Sequence, residues 1–303
     1  MKLKKSILGS KPEERVFKTL ESRWSPKYKI FPSLQLSSIL RPEPNEITEK
    51  EEEFFFKSSV DYTLCNSKNQ PILSIEFDGM GKGFSRDGVY IPGRPCSDPM
   101  RKTKLDFKLK CADKVNYPFF VVSFEEIKFL DEEDTLMVLD AIIGQVLARK
   151  EFLQKADELV SICQDELDGL EGLSRNEVIE DIMTSCEVEA ELKMDPIARK
   201  AAEYSSLCLE LGIRSYRFEY MSDPELPDFK GIDDIEGLKA RIEAMKHTAR
   251  EGCRIVIEMP KQQVVQEVWI RNIEGYAVSP YSIARNIAEY LGFKKAYLML
   301  PKM

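Results

Sequence analysis

The sequence predicts an α/β N-terminal domain, a helical middle segment and an α+β C-terminal domain. Three observations lead to this division: two strands of alternating polarity in the first half, a long run of helical periodicity, and a return to short strands in the last third. A chain of 303 residues exceeds the size of a typical single domain, so more than one core is expected. We place the domains at residues 1–130, 131–211 and 212–303.

The composition is that of a globular protein whose charge is unevenly distributed. Hydrophobic residues make up 43% of the chain, and the formal net charge of −8 argues against nonspecific coating of nucleic acid. Residues 1–30 and 101–114 are basic, whereas 131–192 hold eighteen Asp and Glu against four Lys and Arg. No run reaches ~18 apolar residues, and no secretory signal is recognised at the start. We therefore expect a soluble, cytoplasmic protein with no membrane partner.

Cysteine and histidine usage argues against several classes of site. The seven cysteines are widely spaced and include no C-x-x-C pair, so neither a zinc site nor a disulfide framework is expected. A Ser-His-Asp or Cys-His mechanism would depend on His247, the single histidine, which lies in a predicted basic helix. Catalysis by such a mechanism is not expected.

The first elements of the N-terminal domain are a helix, a strand and a loop. A capping-box pattern at Ser10–Glu13, followed by apolar residues at helical spacing, predicts a helix over about 11–24. The segment YKIFPSL predicts a short strand. The stretch 41–53 is polar and contains two prolines, so it predicts a loop.

Two strands with period-two alternation carry the acidic residues of interest. The segments SVDYTL, from Ser59, and ILSIEFD, from Ile72, are joined by the turn-like NSKNQ. Burying their apolar residues together on one face fixes the parity of their pairing. Asp61, Glu76 and Asp78 are then expected to share the other face.

Three carboxylates on one face predict either a metal site or a solvated strand surface. Glu76 and Asp78 are ~6.6 Å apart along their strand, and Asp61 comes from the neighbouring strand. Oxygen ligands of this kind suit Mg²⁺ or Mn²⁺, which would activate water for hydrolysis of a phosphodiester. In the alternative interpretation these acids face solvent, as most alternating acids do.

A glycine-rich loop and a basic helix follow these strands. Five glycines between Gly79 and Pro95 predict a long loop, and such loops often carry function. Asp98 and Pro99 predict the start of a helix that ends near Val115. One basic face of this helix is expected either to hold a nucleic-acid backbone or to be solvated. That face consists of Arg101, Lys104 and Lys108.

The remaining elements predict a strand, a helical segment and a small α+β domain. The continuous apolar run 117–124 is typical of an interior strand covered on both sides, and residues 132–210 predict consecutive helices with a break at Asp195-Pro196. The order expected after this is strand, helix, strand, strand, helix, strand, which is the order of a ferredoxin-like domain. The expected bounds are 214–220, 233–249, 253–259, 264–271, 279–291 and 294–299.

The N-terminal domain contains five ordered segments: ERVFKTL (14–20), SVDYTLC (59–65), PILSIEFDG (71–79), a helix rich in lysine and aspartate, and NYPFFVV (116–122). In this order they resemble the PD-(D/E)XK nuclease superfamily. They are similar to restriction-endonuclease-like domains of unknown function related to very-short-patch repair endonucleases, and the resemblance covers about residues 10–128. It implies a restriction-endonuclease-like fold, in which helices flank a mixed sheet.

The resemblance also implies roles for individual residues. Glu14 corresponds to the acid on the first helix, and Asp61 and Glu76 correspond to the principal metal ligands. Asp78 stands where the commoner form of the superfamily has lysine, as in relatives of this subgroup, and is expected to assist catalysis and metal binding. A lysine of the next helix is expected to supply the positive charge, and the choice among them stays open. The candidates are Lys102, Lys104 and Lys108.

The expected activity is hydrolysis of phosphodiester bonds, with DNA as the expected substrate and Mg²⁺ or Mn²⁺ as the cofactor. Relatives of this subgroup commonly have a histidine in the glycine-rich loop, whereas this chain has Lys82 and Arg86 there. This difference favours an alternative, a catalytically inactive nuclease-fold module that binds nucleic acid or a protein partner. The expected nucleic-acid contacts are Lys82, Arg86, Arg101, Lys104 and Lys108.

A third hypothesis is an assembly role in which the C-terminal half contacts an oligomer partner or another protein. Trp269, Tyr276 and Tyr281 are candidates for such a surface. Aromatic residues in these patterns are more often part of a core, because each buries a large apolar area. The residues alone therefore leave this hypothesis open.

Overall fold

The structure, a computed structural model, has a mixed α/β fold in two compact units. Unit 1 consists of residues 1–136, 222–250 and 271–276, and unit 2 of residues 137–221, 251–270 and 277–303. Among the described residues, no helix is long and apolar enough to cross a membrane. The described residues are 11–25, 27–43, 46–78, 81–93, 100–123, 130–164, 167, 173–213, 215–226, 248–272 and 278–300.

A four-stranded mixed sheet and a separate hairpin contain the described strands of unit 1. These are β1 (Lys29–Gln35), β2 (Ser59–Cys65), β3 (Pro71–Asp78), β4 (Gly81–Phe84), β5 (Tyr90–Pro92) and β6 (Phe119–Ser123). The sheet order is β1-β2-β3-β6, in which β2 is antiparallel to β1 and β3, and β6 is parallel to β3. The hairpin of β4 and β5 lies in the segment predicted as a glycine-rich loop, so that prediction is wrong for this part.

The strand β6 lies at the edge of the sheet formed by the described strands and not in its interior. Its apolar run correctly predicts a strand that is covered on both faces, because four of its five residues are buried. A continuous apolar pattern indicates that both faces of a strand are covered. It gives no information on whether a second strand lies beside it.

Four described helices accompany the sheet of unit 1. They are α1 (Lys11–Trp24), α2 (Leu36–Ile39), α3 (Glu49–Lys57) and α4 (Arg101–Lys114). The helix α3 replaces part of the predicted loop 41–53, because Thr48 and Glu51 form a capping box in which each side chain accepts a hydrogen bond from the other residue's backbone N–H. The predicted start of α4 at Asp98 and Pro99 lies outside the described residues.

The core beside α4 fixes the position of that helix against the sheet. Leu105, Leu109 and Ala112 of α4 are buried with Phe55 of α3 and Phe119 of β6. Complete burial of a Leu or Phe side chain contributes roughly 1.5–3 kcal/mol. This packing also holds the basic residues of α4 that neighbour these apolar positions close to β3.

Unit 2 combines helices of the predicted middle segment with strands of the predicted C-terminal domain. Its described strands form a three-stranded sheet with the order β7-β8-β9. Most residues of the following elements belong to this unit: α5 (Glu132–Ile162), α6 (Leu173–Met194), α7 (Pro196–Glu210), β7 (Ser215–Asp223), β8 (Arg250–Glu258), β9 (Gln263–Arg271) and α8 (Pro280–Met299).

The last described element is a helix, which contradicts the ferredoxin-like order. Residues 294–299, predicted as a strand, continue α8, and Phe293 and Ala296 are buried at helical spacing. Gly292 lies inside α8 and faces Ile255. Only glycine fits at this position without a shift, because a Cβ would be 2.6 Å from Cγ2 of Ile255. Nearly all of the predicted helix 233–249 lies outside the described residues, as does His247.

Asp195 separates α6 from α7 and is completely buried at the start of α7. One carboxylate oxygen accepts hydrogen bonds from the backbone N–H groups of Ile197 and Ala198. The other accepts hydrogen bonds from the side-chain amides of Gln145, at 2.7 Å, and Asn286, at 2.8 Å. Burial raises the pKa of Asp195 above its ordinary value, and these hydrogen bonds oppose the increase only in part.

We expect the stability difference between the wild type and Asp195→Asn to decrease as the pH rises. Because the folded state favours the protonated carboxyl group, the contribution of Asp195 to the free energy of unfolding is complete below its unfolded pKa of ~3.9. This contribution is lost as the pH rises through the pKa of Asp195 in the folded state, which is higher than in the unfolded state. Asparagine retains a capping oxygen and does not titrate. Urea denaturation at several pH values measures the difference, and a pH-independent difference would contradict the prediction.

Candidate functional site

The pairing of β2 with β3 places the three predicted acids on one face. Thr63 of β2 lies opposite Ser74 of β3, and their hydroxyl oxygens are 3.0 Å apart. Because side chains alternate along a strand, Asp61 is on the face of Thr63, and Glu76 and Asp78 are on the face of Ser74. The parity predicted from the sequence is therefore confirmed.

Glu76 forms a buried ion pair with Lys108 of α4. Nζ of Lys108 donates hydrogen bonds to Oε1 of Glu76, at 2.7 Å, and to the carbonyl oxygen of Ser59, at 2.6 Å. The side chains of Lys108 and Glu76 are 8% and 19% exposed. Oε2 of Glu76 is buried and accepts no hydrogen bond within the described part of the chain. This second oxygen can therefore accept a proton donor or a cation.

Asp61 is bonded across the strand pair to the backbone of β3. Its Oδ2 accepts a hydrogen bond from the backbone N–H of Phe77 at 2.7 Å. This bond lies just beyond the pair Tyr62 and Ile75, where the regular ladder of β2 and β3 ends. A charge-assisted bond to a backbone N–H fixes the carboxylate of Asp61 on the same face as Glu76.

Asp78 is held in a separate polar cluster with Tyr90 and Arg101. Its side chain is 2% exposed and accepts hydrogen bonds from the Tyr90 hydroxyl group and the Arg101 guanidinium group. Burial raises the pKa of Tyr90 far above its ordinary value, and the hydrogen bond to Asp78 raises it further. Tyr90 therefore remains a proton donor. The cluster connects the end of β3 to the hairpin and to the first turn of α4.

Gly81 provides the space in which the Asp78 carboxylate lies. A Cβ at position 81 would overlap Oδ2 of Asp78 and would be 2.9 Å from Oγ of Ser123. The glycine is therefore required by the close approach of a buried side chain. Sequence reasoning missed both Gly81 and Tyr90, because no local pattern indicates that the hairpin folds back over Asp78.

The other predicted site residues lie in more exposed positions. Glu14 of α1 forms an ion pair of 2.7 Å with Lys18, and Lys102 of α4 forms one of 2.5 Å with Asp106. Both pairs join residues one helical turn apart, and such surface pairs contribute little to stability. The remaining predicted basic residues are Lys82 and Arg86, which are exposed, and Lys104, which is partly buried.

The described residues contain no cluster of three His, Cys, Asp or Glu side chains that could hold a metal ion. The structure instead brings Glu76 together with Lys108, and Asp78 together with Arg101. Mg²⁺ usually keeps several water ligands and is held by one or two carboxylates. Asp61 and Glu76 are two carboxylates on one strand face, which is the number that usually holds a hydrated Mg²⁺.

The aromatic residues proposed for a partner surface are partly packed within unit 2. The ring centroids of Tyr281 and Tyr220 are 5.2 Å apart. Trp269 lies against Gly252, where a Cβ would be 2.9 Å from the indole ring. Tyr276 lies outside the described residues. These contacts assign Trp269 and Tyr281 packing roles, and other aromatic residues of this unit are more exposed.

Comparison with known proteins gives one partial match. Residues 5–89 match the model of a family described as "Protein of unknown function (DUF2726)". The match includes Asp61, Glu76 and Asp78 but ends before α4, so it does not include Arg101 or Lys108. No curated protein and no solved structure matches the chain.

Proposed function

We propose that this protein is a metal-dependent nuclease that hydrolyses phosphodiester bonds in DNA. The observation that carries the proposal is the environment of Glu76. One of its carboxylate oxygens is bonded to Lys108, and the other is buried without a hydrogen bond from any described residue. The mixed sheet with accompanying helices and the resemblance to PD-(D/E)XK nucleases support this function.

Asp61 and Glu76 would hold the divalent cation. They share one face of the β2 and β3 pair and supply oxygen donors, which Mg²⁺ and Mn²⁺ prefer. A bound ion would supply an activated water and would neutralise charge that develops on the phosphodiester. The backbone N–H of Phe77 orients Asp61 for this task.

Lys108 is the lysine that we assign to charge stabilisation. Its ammonium group is fixed between Glu76 and the carbonyl oxygen of Ser59, so its position beside the site is defined before substrate binds. A preorganised positive charge in a poorly solvated site stabilises developing negative charge more strongly than a mobile one. Lys102 instead pairs with Asp106 on the surface of α4.

We assign Asp78 a positioning role because both of its oxygens are engaged by protein groups. Its contacts with Tyr90 and Arg101 hold the hairpin and the start of α4 against β3. The hairpin carries Lys82, and Arg86 follows in its turn. These two exposed residues are proposed to contact the phosphate backbone, which most basic side chains in such interfaces do.

A second candidate function is a nuclease-fold module that binds nucleic acid or a protein partner without cleavage. Two observations favour it. The described chain has no cluster of three metal-binding side chains, and Arg101 and Lys108 are engaged by Asp78 and Glu76. Such a module would bind without turnover whichever metal is supplied.

Cleavage assays with matched variants separate these functions. Purified wild-type protein is expected to cut supercoiled or single-stranded DNA with Mg²⁺ or Mn²⁺ and to be inactive in EDTA. Asp61→Ala and Glu76→Gln are expected to lower the cleavage rate by roughly 100-fold or more, because each removes charge from the reacting site. The matched control is Glu53→Gln, which changes an exposed acid of α3 paired with Lys57 and should cut at the wild-type rate.

Titration calorimetry with Mn²⁺ adds a readout that does not depend on turnover. Wild-type protein should bind the ion, and Glu76→Gln should lose this binding while Glu53→Gln retains it. Full cleavage by both Asp61→Ala and Glu76→Gln would overturn the proposed nuclease. Binding of DNA by the wild type without cleavage in either metal would select the second candidate.

A further inference from the structure

The strand β7 forms one edge of the sheet that the described strands of unit 2 make. It is the first strand of the β7-β8-β9 order, and within the described sheet it pairs only with β8. Its nine residues include no proline or glycine, which commonly interrupt a strand at an edge. The N-terminal half of the strand is largely exposed. An edge of this kind can accept another strand through its backbone N–H and C=O groups.

One face of β7 carries a row of aromatic side chains that reaches this edge. Tyr216, Phe218 and Tyr220 alternate along the strand, and Tyr216 packs against Phe293 of α8 with ring centroids 5.1 Å apart. Tyr216 and Tyr220 are nevertheless 42% and 37% exposed. Aromatic residues are enriched where protein surfaces associate. This row therefore supplies apolar contact area beside the strand edge.

The opposite face of β7 carries one basic and one acidic side chain. Arg217 is 3.2 Å from Glu258, and Glu219 is 3.0 Å from Arg254. The residue number rises from Arg217 to Glu219 along β7, whereas it falls from Glu258 to Arg254 for their partners on β8. The two strands are therefore antiparallel. Arg217 and Glu219 are both accessible to solvent despite these pairs. Along this face the charge changes from positive at Arg217 to negative at Glu219, the two residues on either side of Phe218 in the sequence.

We infer that two copies of this chain associate through β7, antiparallel about a two-fold axis at Phe218. Such an axis places Arg217 opposite Glu219 of the other copy, and Tyr216 opposite Tyr220 of the other copy. The two-fold axis makes the contact between Arg217 and Glu219 twice, and opposite charges that face each other across a strand pair are stabilising. The two three-stranded sheets then form one continuous sheet.

The charge pattern also selects this register against its neighbours. An axis at Arg217 would place two arginines opposite each other, and an axis at Glu219 would place two glutamates opposite each other. Like charges directly opposite are destabilising. On the other edge strand, β9, an axis at Trp269 would pair Glu267 with Arg271, but the side chain of Arg271 is only 22% exposed, whereas that of Arg217 is 56% exposed. The edge of β7 is therefore the better self-complementary surface.

The oligomeric state of the full chain tests the inference. Native mass spectrometry and sedimentation equilibrium over micromolar concentrations should show a dimer for the wild type. Tyr216→Lys places a charge in the aromatic row and should raise the dimer dissociation constant roughly tenfold or more. The control is Val265→Lys on β9, because Val265 is also 42% exposed. This control should remain dimeric.

Charge reversal gives a sharper test of the register. Arg217→Glu and Glu219→Arg should each lose the dimer, because like charges then face each other twice. A mixture of these two variants should form a mixed dimer, because each acidic position of one chain faces a basic position of the other. Mixing would not repair a folding defect, so recovery of association identifies the interface.

Each outcome decides the inference. A wild-type chain that is monomeric throughout the concentration range would overturn it. It would also be overturned if both charge-reversal variants remained dimeric, if their mixture remained monomeric, or if Val265→Lys weakened the dimer as much as Tyr216→Lys. Dimer loss in the single variants together with recovery in the mixture is the expected result.

Discussion

Replacing Lys108 with methionine is expected to lower the free energy of unfolding by about 3–5 kcal/mol. Methionine keeps much of the apolar stem of lysine and removes its charge, so the change acts mainly on the ammonium group. That group bonds to Glu76 and to the carbonyl oxygen of Ser59. Its loss leaves a largely buried carboxylate without a compensating cation, which is the costly state. Urea denaturation at fixed pH measures the change.

The matched control is Lys102→Met on the same helix. Lys102 pairs with Asp106 on a more exposed surface, so its replacement is expected to cost less than about 1 kcal/mol. Adding Glu76→Gln to Lys108→Met should recover part of the lost free energy of unfolding, because neither partner then carries a buried charge. The expected coupling between Lys108 and Glu76 is about 1–3 kcal/mol. Equal losses in the two lysine variants would contradict a buried ion pair.

A fully apolar replacement separates the needs of the fold from those of the site. Exchange of a buried ion pair for apolar side chains of similar volume is often neutral or stabilising. If Glu76→Leu with Lys108→Met is as stable as the wild type, the fold does not require the pair. We would then infer that the ion pair is retained for function, because charged groups of a site can be kept at the expense of stability.

The placement of Glu76 could be predicted from the sequence, but its partner could not. Alternation along β2 and β3 is sufficient to place Asp61 and Glu76 on one face, because side-chain direction in a strand has a period of two. The choice of Lys108 depends on how α4 is rotated and how far it is from β3. Local spacing does not contain that distance, and three lysines of this helix were equally acceptable from the sequence.

Asp78 illustrates the difference between the face of a strand and its depth. Alternation correctly places Asp78 beside Glu76, yet Asp78 is buried under the hairpin while Glu76 is partly exposed. The sequence signal at the hairpin was a set of glycines, which predicts a loop. Gly81 leaves the space that the Asp78 carboxylate occupies. The need for glycine at this position becomes clear only when β4 and β3 are placed together.

Two predictions were wrong, one where a capping box starts a helix and one where tertiary packing extends a helix past a glycine. Thr48 and Glu51 have the spacing of a capping box, and the structure starts α3 there, in a stretch whose prolines predicted a loop. Gly292 stands where a helix was predicted to end. Its position against Ile255 instead allows α8 to pack closely on β8 and to continue through residues predicted as a strand.

Replacing Gly81 with alanine is expected to lower the free energy of unfolding by about 3 kcal/mol or more. The added Cβ would overlap Oδ2 of Asp78 and approach Oγ of Ser123, and both of these side chains are buried. Relief of the overlap requires Asp78 to leave its hydrogen bonds with Tyr90 and Arg101. Those two polar groups would then lose their buried partner, which adds to the cost of overpacking.

The same substitution in an Asp78→Ala background identifies the cause of this loss. Asp78→Ala alone should be destabilising by about 1–3 kcal/mol, because it leaves the buried Tyr90 hydroxyl group without its acceptor and the partly exposed Arg101 without its counter-charge. With the carboxylate absent, Gly81→Ala should cost at least ~1 kcal/mol less than in the wild type, since the atom that the Cβ overlaps has been removed. Thermal denaturation of the four proteins gives this coupling. Equal losses in both backgrounds would mean that Gly81 is required by the backbone or by Ser123 and not by Asp78.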